Sequence, residues 1–193
     1  MIENSRPTRA EVTDVSNAVY AAADAVMLSG ETAAGKFPVE AVEMMARVIK
    51  QTEAFMQEQK IFGKAIPREN ELKLLPFGHA VADATAQLCY DVKAKAIVSI
   101  TQAGMTVITL SSARPEAPLI AISANKWVCQ RMNLYWGVIP VHSDEAGHAH
   151  PNTLARHHAI QTKLANKGDN IILVRGFHHD SQMNTPTITM LTL

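Results

Sequence analysis

Asp24-Ala25-Val26-Met27-Leu28-Ser29-Gly30-Glu31-Thr32-Ala33-Ala34-Gly35-Lys36-Phe37-Pro38 decides how this chain is read. Apolar residues fill its first half, which predicts a short strand over residues 24–29. A loop of small residues follows, and then Pro38 opens a helical pattern. Proline suits a first helical turn because the amide hydrogen it lacks would have no partner there. The whole is a βα turn that displays a hydroxyl, Ser29, and a carboxylate, Glu31, at the C-terminal end of a strand.

Upstream, Thr8 and Glu11 form a capping box, with the hydroxyl accepting from a first-turn amide and the carboxylate reaching back to the cap amide. Val12, Val15 and Val19 then recur at helical spacing, so a helix is expected over residues 8–22. Downstream, Val39, Val42, Ala46 and Ile49 mark the expected buried face of the helix that Pro38 opens, with Glu43 and Arg47 as an i,i+4 ion pair opposite. Polar residues with Gly63, Pro67 and Arg68-Glu69-Asn70-Glu71 then interrupt the regularity and read as a linker. The expected division is 1–56, a linker over 57–70, and a second domain over 71–193.

In that second domain a helix over 77–91 should bury Val81, Ala84 and Leu88. Apolar strands are expected at 96–100, 119–123, 138–142 and 171–175, separated by helices at about 104–113, 125–135 and 152–167. Strands alternating with helices imply right-handed crossovers and a mostly parallel, doubly wound sheet covered on both faces. The β-branched end, residues 187–193, is expected as an antiparallel edge strand returning through the loop 176–186.

The 193 residues carry 18 acidic and 18 basic side chains. That balance offers no electrostatic case for nucleic acid or an anionic membrane surface, so any anion site must be local. No apolar run approaches the roughly 20 residues that span a bilayer. The N-terminal residues lack the layout of a secretory signal. Cys89 and Cys129 lie in apolar helical patterns and read as buried, reduced thiols. These features are those of a cytoplasmic protein.

The order of features resembles one family along nearly the whole chain. Ile2-Glu3-Asn4, Arg6-Pro7-Thr8-Arg9-Ala10-Glu11-Val12, Asp14-Val15 and Asn17-Ala18-Val19 resemble the segment before the last barrel strand of pyruvate kinase, and residues 24–38 resemble that strand and its loop. Residues 77–193 resemble the C-terminal regulatory domain more loosely, through Ala96-Ile97-Val98, Thr101, Gly104, Arg114-Pro115, Ala117-Pro118 and Gly137-Val138-Ile139-Pro140-Val141. The fold implied is α/β: the last strand and helices of a (β/α)8 barrel, then a complete doubly wound domain.

The resemblance implies transfer of a phosphoryl group from phosphoenolpyruvate to ADP, giving pyruvate and ATP in glycolysis. Magnesium and potassium ions neutralise phosphate charge in that chemistry. The catalytic lysine or arginine and the metal ligands belong to earlier parts of the family's barrel, and Met1 coincides with an internal methionine of the pattern. This chain is therefore expected to be inactive alone and to supply subunit contacts and allosteric regulation within a homo-oligomer, a tetramer in the family. A free-standing α/β ligand-binding or structural module is the rival reading.

Ser29 and Glu31 stand where barrel enzymes place working groups, but one loop cannot converge on a phosphoryl group, so pocket support is expected rather than direct chemistry. The resemblance puts Arg6 and Arg9 at a subunit contact, against the plainer reading of two solvated arginines. Thr101-Gln102-Ala103-Gly104-Met105-Thr106 follows a strand and opens a helix, the usual place for anions. The family's matching loop reads Thr-x-Ser-Gly-Arg-Ser/Thr and holds the phosphate of an effector. Here Ala103 and Met105 replace the serine and the arginine, which predicts a weak or altered phosphate site, set against an ordinary βα turn. The loop containing His178 and His179 matches an effector-covering loop in position only and reads as solvated surface. His148, His150, His157 and His158 raise a metal-hydrolase reading, but structural zinc wants four ligands, usually with cysteine, and neither cysteine is near in sequence. Trp127, Tyr135 and Trp136 read as packing or interface aromatics.

Overall fold

The computed structural model describes residues 1–59, 61, 77–178, 180 and 182–193. It divides into two compact units, Met1–Ile61 and Phe62–Leu193. Most of the expected linker, residues 60 and 62–70, lies outside the described residues.

In the first unit the capping box forms: the Glu11 amide donates to Thr8 Oγ1 at 3.2 Å, and the Thr8 amide donates to Glu11 Oε2 at 2.6 Å. Helix α1 spans Arg9–Tyr20. A single turn, α2 (Gly30–Ala33), precedes the long α3 (Pro38–Glu58), whose first residue is the proline. α3 pins α1 through Thr52, whose hydroxyl stands 3.2 Å from Ser16 Oγ.

Three expectations fail here. Residues 24–29 are not a strand, because a strand exists only through a neighbour and none of the described residues pairs with this segment. The buried stripe of α3 is Ala41, Thr52 and Met56, while Val39 and Val42 are 64% and 48% exposed. Ala46 and Ile49 are half-buried. Arg47 reaches Met44 Sδ at 3.7 Å instead of pairing with Glu43, as expected of an exposed pair that water screens.

The second unit follows the predicted alternation closely. It runs α4 (Gly78–Val92), β1 (Ala96–Ile100), α5 (Met105–Ser112), β2 (Leu119–Ser123), α6 (Lys126–Met132), β3 (Val138–His142), α7 (Pro151–Gln161), β4 (Asn170–Arg175) and β5 (Thr187–Thr192). The sheet order is β3-β2-β1-β4-β5, parallel except for the β4–β5 hairpin. α4, α5 and α6 cover one face, packing Ala86, Leu110 and Met132 on Ile97, Leu119 and Ile172. α7 covers the other face, packing Leu154 and Ala159 on Val98, Ile120 and Leu173. This double cover explains why β1, β2 and β4 read as mostly apolar runs rather than alternating ones: both faces of each strand are buried.

α4 buries Ala82, Thr85, Ala86 and Cys89 fully and leaves Val81 and Leu88 half-buried, while Ala84 points outward. The apolar stripe is thus turned slightly from the expected one. α7 ends at Gln161, earlier than predicted, because Lys163 takes a left-handed φ of 60° that no helix continues through.

Candidate functional site

The 29–32 turn is held by its own groups. The Ser29 amide donates to Glu31 Oε2 at 3.0 Å, and Thr32 Oγ1 donates to the Ser29 carbonyl at 3.3 Å. Hydrogen bonds from the backbone amides of Glu31 and Ser29 hold the Glu31 carboxyl below its usual range. Ser29 is exposed, and Glu31 forms part of the wall of an apolar cavity of about 430 Å³ between α1, α3 and the extended segment 25–28. Val15, Val26, Leu28 and Met45 line it as well. The carboxylate thus fastens the loop on which it stands. Arg6 and Arg9 are exposed at the start of α1, and neither guanidinium pairs with a described residue.

The second unit has a more polar cavity of about 610 Å³ at the C-terminal ends of β1 and β2, closed by the loop after β3. Thr101 and Gln102 form one wall, Ser123 to Lys126 another, and Ala146 and Gly147 a third. Parallel strands and their loops converge at this end of an open sheet, which is where such folds hold ligands.

Thr101 is buried, and its Oγ1 accepts from the Gly104 amide at 2.9 Å. Ser123 is fully buried, and its Oγ accepts from the Asn125 amide at 3.2 Å. No described residue accepts the proton of either hydroxyl, so both retain a donor at the cavity wall.

The two helix N-termini beside this cavity differ. α6 is closed by Asn125, whose Oδ1 accepts from the Trp127 amide at 2.9 Å and the Val128 amide at 3.4 Å. α5 starts at Gly104, where φ is +88°, and no side chain caps it. Its first-turn amides at Met105 and Thr106 have no hydrogen-bond acceptor among the described residues, with the positive end of the helix dipole behind them.

Sequence reasoning missed a cation at this loop. The guanidinium of Arg131, on α6, donates through Nη2 to the carbonyl of Ala103, a residue 28 positions away. No local pattern announces such a contact. Lys126, in the cavity wall, is a second basic residue outside the 101–106 motif. The structure thus gathers Thr101 and Gln102 at the cavity, sets Ala103 under Arg131, and makes Gly104, Met105 and Thr106 the start of α5.

The other candidates are dispersed. His178 Nδ1 accepts from the Asp180 amide at 3.0 Å within its own loop, while His179 lies outside the described residues. His158 lies on the buried face of α7 with Nδ1 2.9 Å from Gln161 Oε1; His148, His150 and His157 are exposed. Among the described residues no three His, Cys, Asp or Glu side chains are grouped to hold a metal ion. Cys89 and Cys129 are free and buried, and burial pushes both thiols up from the usual value. Trp136 lies under the Arg114 guanidinium, 4.9 Å from the ring centroid, while Trp127 is 80% exposed. No described helix is long and apolar enough to cross a membrane.

Comparison with known proteins gives one consistent result. The family model described as "Pyruvate kinase, alpha/beta domain" matches residues 79–190, and "Pyruvate kinase, barrel domain" matches residues 1–42. A pyruvate kinase of Agrobacterium vitis is 37% identical over 194 residues, covering 100% of this chain and 39% of its own length. One from Chlamydia muridarum is 40% identical over 159 residues, covering 82% of this chain and 32% of its own length. Among solved structures, a pyruvate kinase from Cryptosporidium parvum superposes with a TM-score of 0.79 at 36% identity, covering 97% of this chain and 37% of that one. The chain therefore spans well under half the length of the relatives it matches.

Proposed function

The chain belongs to the pyruvate kinase family, and we propose that it serves an enzyme transferring phosphoryl from phosphoenolpyruvate to ADP, as a binding and assembly part rather than the seat of the chemistry. In this reading the second unit binds a phosphorylated small-molecule effector at the cavity beyond β1 and β2, and the chain works within a cytoplasmic homo-oligomer to which Arg6 and Arg9 contribute contacts. The observation that carries it is the polar wall of that cavity: two buried hydroxyls with unspent donors, at Thr101 and Ser123, together with Lys126. Backbone amides and hydroxyls recognise phosphate oxygens without a dedicated pair of charged side chains.

Direct catalysis is not assigned to this chain. Phosphoryl transfer needs cations and carboxylates converging on the group in flight, with magnesium and potassium supplying charge neutralisation when bound. Among the described residues no three His, Cys, Asp or Glu side chains are grouped to hold such an ion. In this reading Ser29 and Glu31 support their own loop, and Glu31 forms part of the wall of the apolar cavity.

The test has two arms. Purified chain supplied with phosphoenolpyruvate, ADP, magnesium and potassium should form no pyruvate; formation at a rate abolished by Glu31→Ala would place chemistry on this chain. Ribose 5-phosphate or AMP should raise the melting temperature of the second unit. No shift with either, or with inorganic phosphate, would favour a purely structural module.

A further inference from the structure

We propose that the outward face of α6 and of the turn after it is a docking surface for an acidic, amphipathic peptide segment of another protein. α6 buries Val128, Cys129 and Met132, and the Leu134 amide donates to the Arg131 carbonyl at 3.1 Å, so helical winding carries on past Met132. Residues 127, 130, 131 and 134 then share one face, at helical spacing and opposite the buried one. All four are exposed, Trp127 at 80% and Leu134 at 63%. A single exposed apolar side chain is ordinary. A tryptophan and a leucine at the two ends of one stripe, with an arginine between them, is the residue choice of an interface core. The face is also held before a partner arrives: Asn125 Oδ1 accepts from the Trp127 amide, and Arg131 Nη2 donates to the Ala103 carbonyl. Arginine carries five N–H donors and that carbonyl takes one, which leaves donors for a carboxylate.

Charge selects the occupant. Lys126 and Arg131 flank Trp127, neither pairs with a described carboxylate, and no Asp or Glu occurs between Glu116 and Asp144. A second copy docked face to face would set Trp127 against Leu134 but gather the cations of both copies with no anion between them. An anionic bilayer would have to take Gln130 and Arg131 to the depth of Trp127, because they share its face. A strand added to β3, the sheet edge that α6 packs against, would meet Pro140. The Ser143 amide bonds to Ser123 of β2, so residue 140 faces outward, where proline offers no amide hydrogen. A short helix or turn with large apolar residues between carboxylates meets every requirement. Its apolar residues cover Trp127 and Leu134, and its carboxylates reach Arg131 and Lys126.

Fluorescence anisotropy of a fluorescein-labelled helical peptide built from leucine, phenylalanine and glutamate, titrated with the full chain, tests this. The same peptide with lysine at every glutamate is the control. The acidic peptide should bind, the basic one should not, and added sodium chloride should weaken the acidic one. Trp127→Ala should weaken binding by at least about 30-fold, the loss at an interface hot spot. Lys126→Glu should weaken it by about 3- to 10-fold, and because it leaves the Ala103 contact and the buried face untouched it separates a lost surface from a lost fold. No binding of the acidic peptide at millimolar chain, equal binding of the basic one, or wild-type affinity in both variants would overturn the proposal. Binding to phosphatidylserine vesicles without binding to the peptide would overturn it in favour of a bilayer. Concentration-dependent dimerisation that Trp127→Ala abolishes would overturn it in favour of a second copy.

Discussion

Gly176 closes the hairpin between β4 and β5, and replacing it with alanine should damage the second unit far more than the same change at Gly168. Both glycines have positive φ, +89° and +94°, so both substitutions place a Cβ in the left-handed region. That strain is about 1–2 kcal/mol, partly offset by the stiffer unfolded chain that alanine confers, about 0.4–1 kcal/mol. Gly168→Ala should stop there, because nothing lies within 4 Å of its Cβ position, and the net loss is about 1 kcal/mol. At Gly176 the Cβ would fall 2.1 Å from the Thr185 carbonyl oxygen, a backbone atom that cannot swing aside. The strands must part there, and the bond from the Thr185 amide to the Gly176 carbonyl, now 2.9 Å, stretches or breaks. Overpacking of about 1–3 kcal/mol and a lost hydrogen bond of about 1 kcal/mol then add to the strain. Gly176→Ala should therefore cost about 3–5 kcal/mol in total. The chain has 2 tryptophans, Trp127 and Trp136, both in the second unit, so urea unfolding followed by tryptophan fluorescence reports that unit alone. With a slope of about 2 kcal/mol per molar urea, the midpoint of Gly176→Ala should lie at least about 1 M below that of Gly168→Ala. Equal midpoints would refute the reasoning, since the close approach would then contribute nothing.

Two further outcomes follow from buried polar groups in the same unit. Ser99 lies in the middle of β1, fully buried, and its hydroxyl has no hydrogen-bond partner among the described residues; Ser99→Ala should therefore add about 1 kcal/mol of stability and raise the urea midpoint, and a fall would show that the hydroxyl is paired. His158 is held below the usual histidine value of 6.5, first by burial and then by the neighbouring His157, against the opposing pull of the Gln161 hydrogen bond and the Glu145 charge. A depressed folded-state value means that the unfolded chain binds the proton more readily. The stability contributed is thus fully present above pH 6.5 and is lost as pH falls below it. The urea midpoint should decline on acidification across that range, and His158→Gln should flatten the decline; an unchanged slope in the variant would assign the acid sensitivity to other groups.

The sequence disclosed what depends on local chemistry and hid what depends on distant neighbours. Thr8 and Glu11 predicted their capping box because both partners lie within one turn. The runs at Ala96–Ile100 and Leu119–Ser123 announced buried parallel strands because both faces of each are covered. The order β3-β2-β1-β4-β5 was not readable, since any strand of this sheet could pair with another on composition alone. The candidate site divides in the same way. The loop 101–106 was visible as a strand followed by a helix start. Its opposite walls, Ser123 to Lys126 and Ala146 with Gly147, come from two later connections, and Arg131 arrives from a third element.

The same distinction explains the first unit. Residues 24–29 have the apolar composition of a strand, but strand pairing is a property of two segments, and no described residue supplies the second. The unit consequently buries only Ala41, Thr52 and Met56 among its described residues, leaves Val39, Val42 and Met27 exposed, and keeps an apolar cavity beneath the unpaired segment. A hydrophobic face of that kind is stable against a partner surface, not against water. The Ser29-Gly30-Glu31-Thr32 turn, stapled by its own backbone bonds, is thus a preformed loop on a segment whose strand character depends on pairing from outside it.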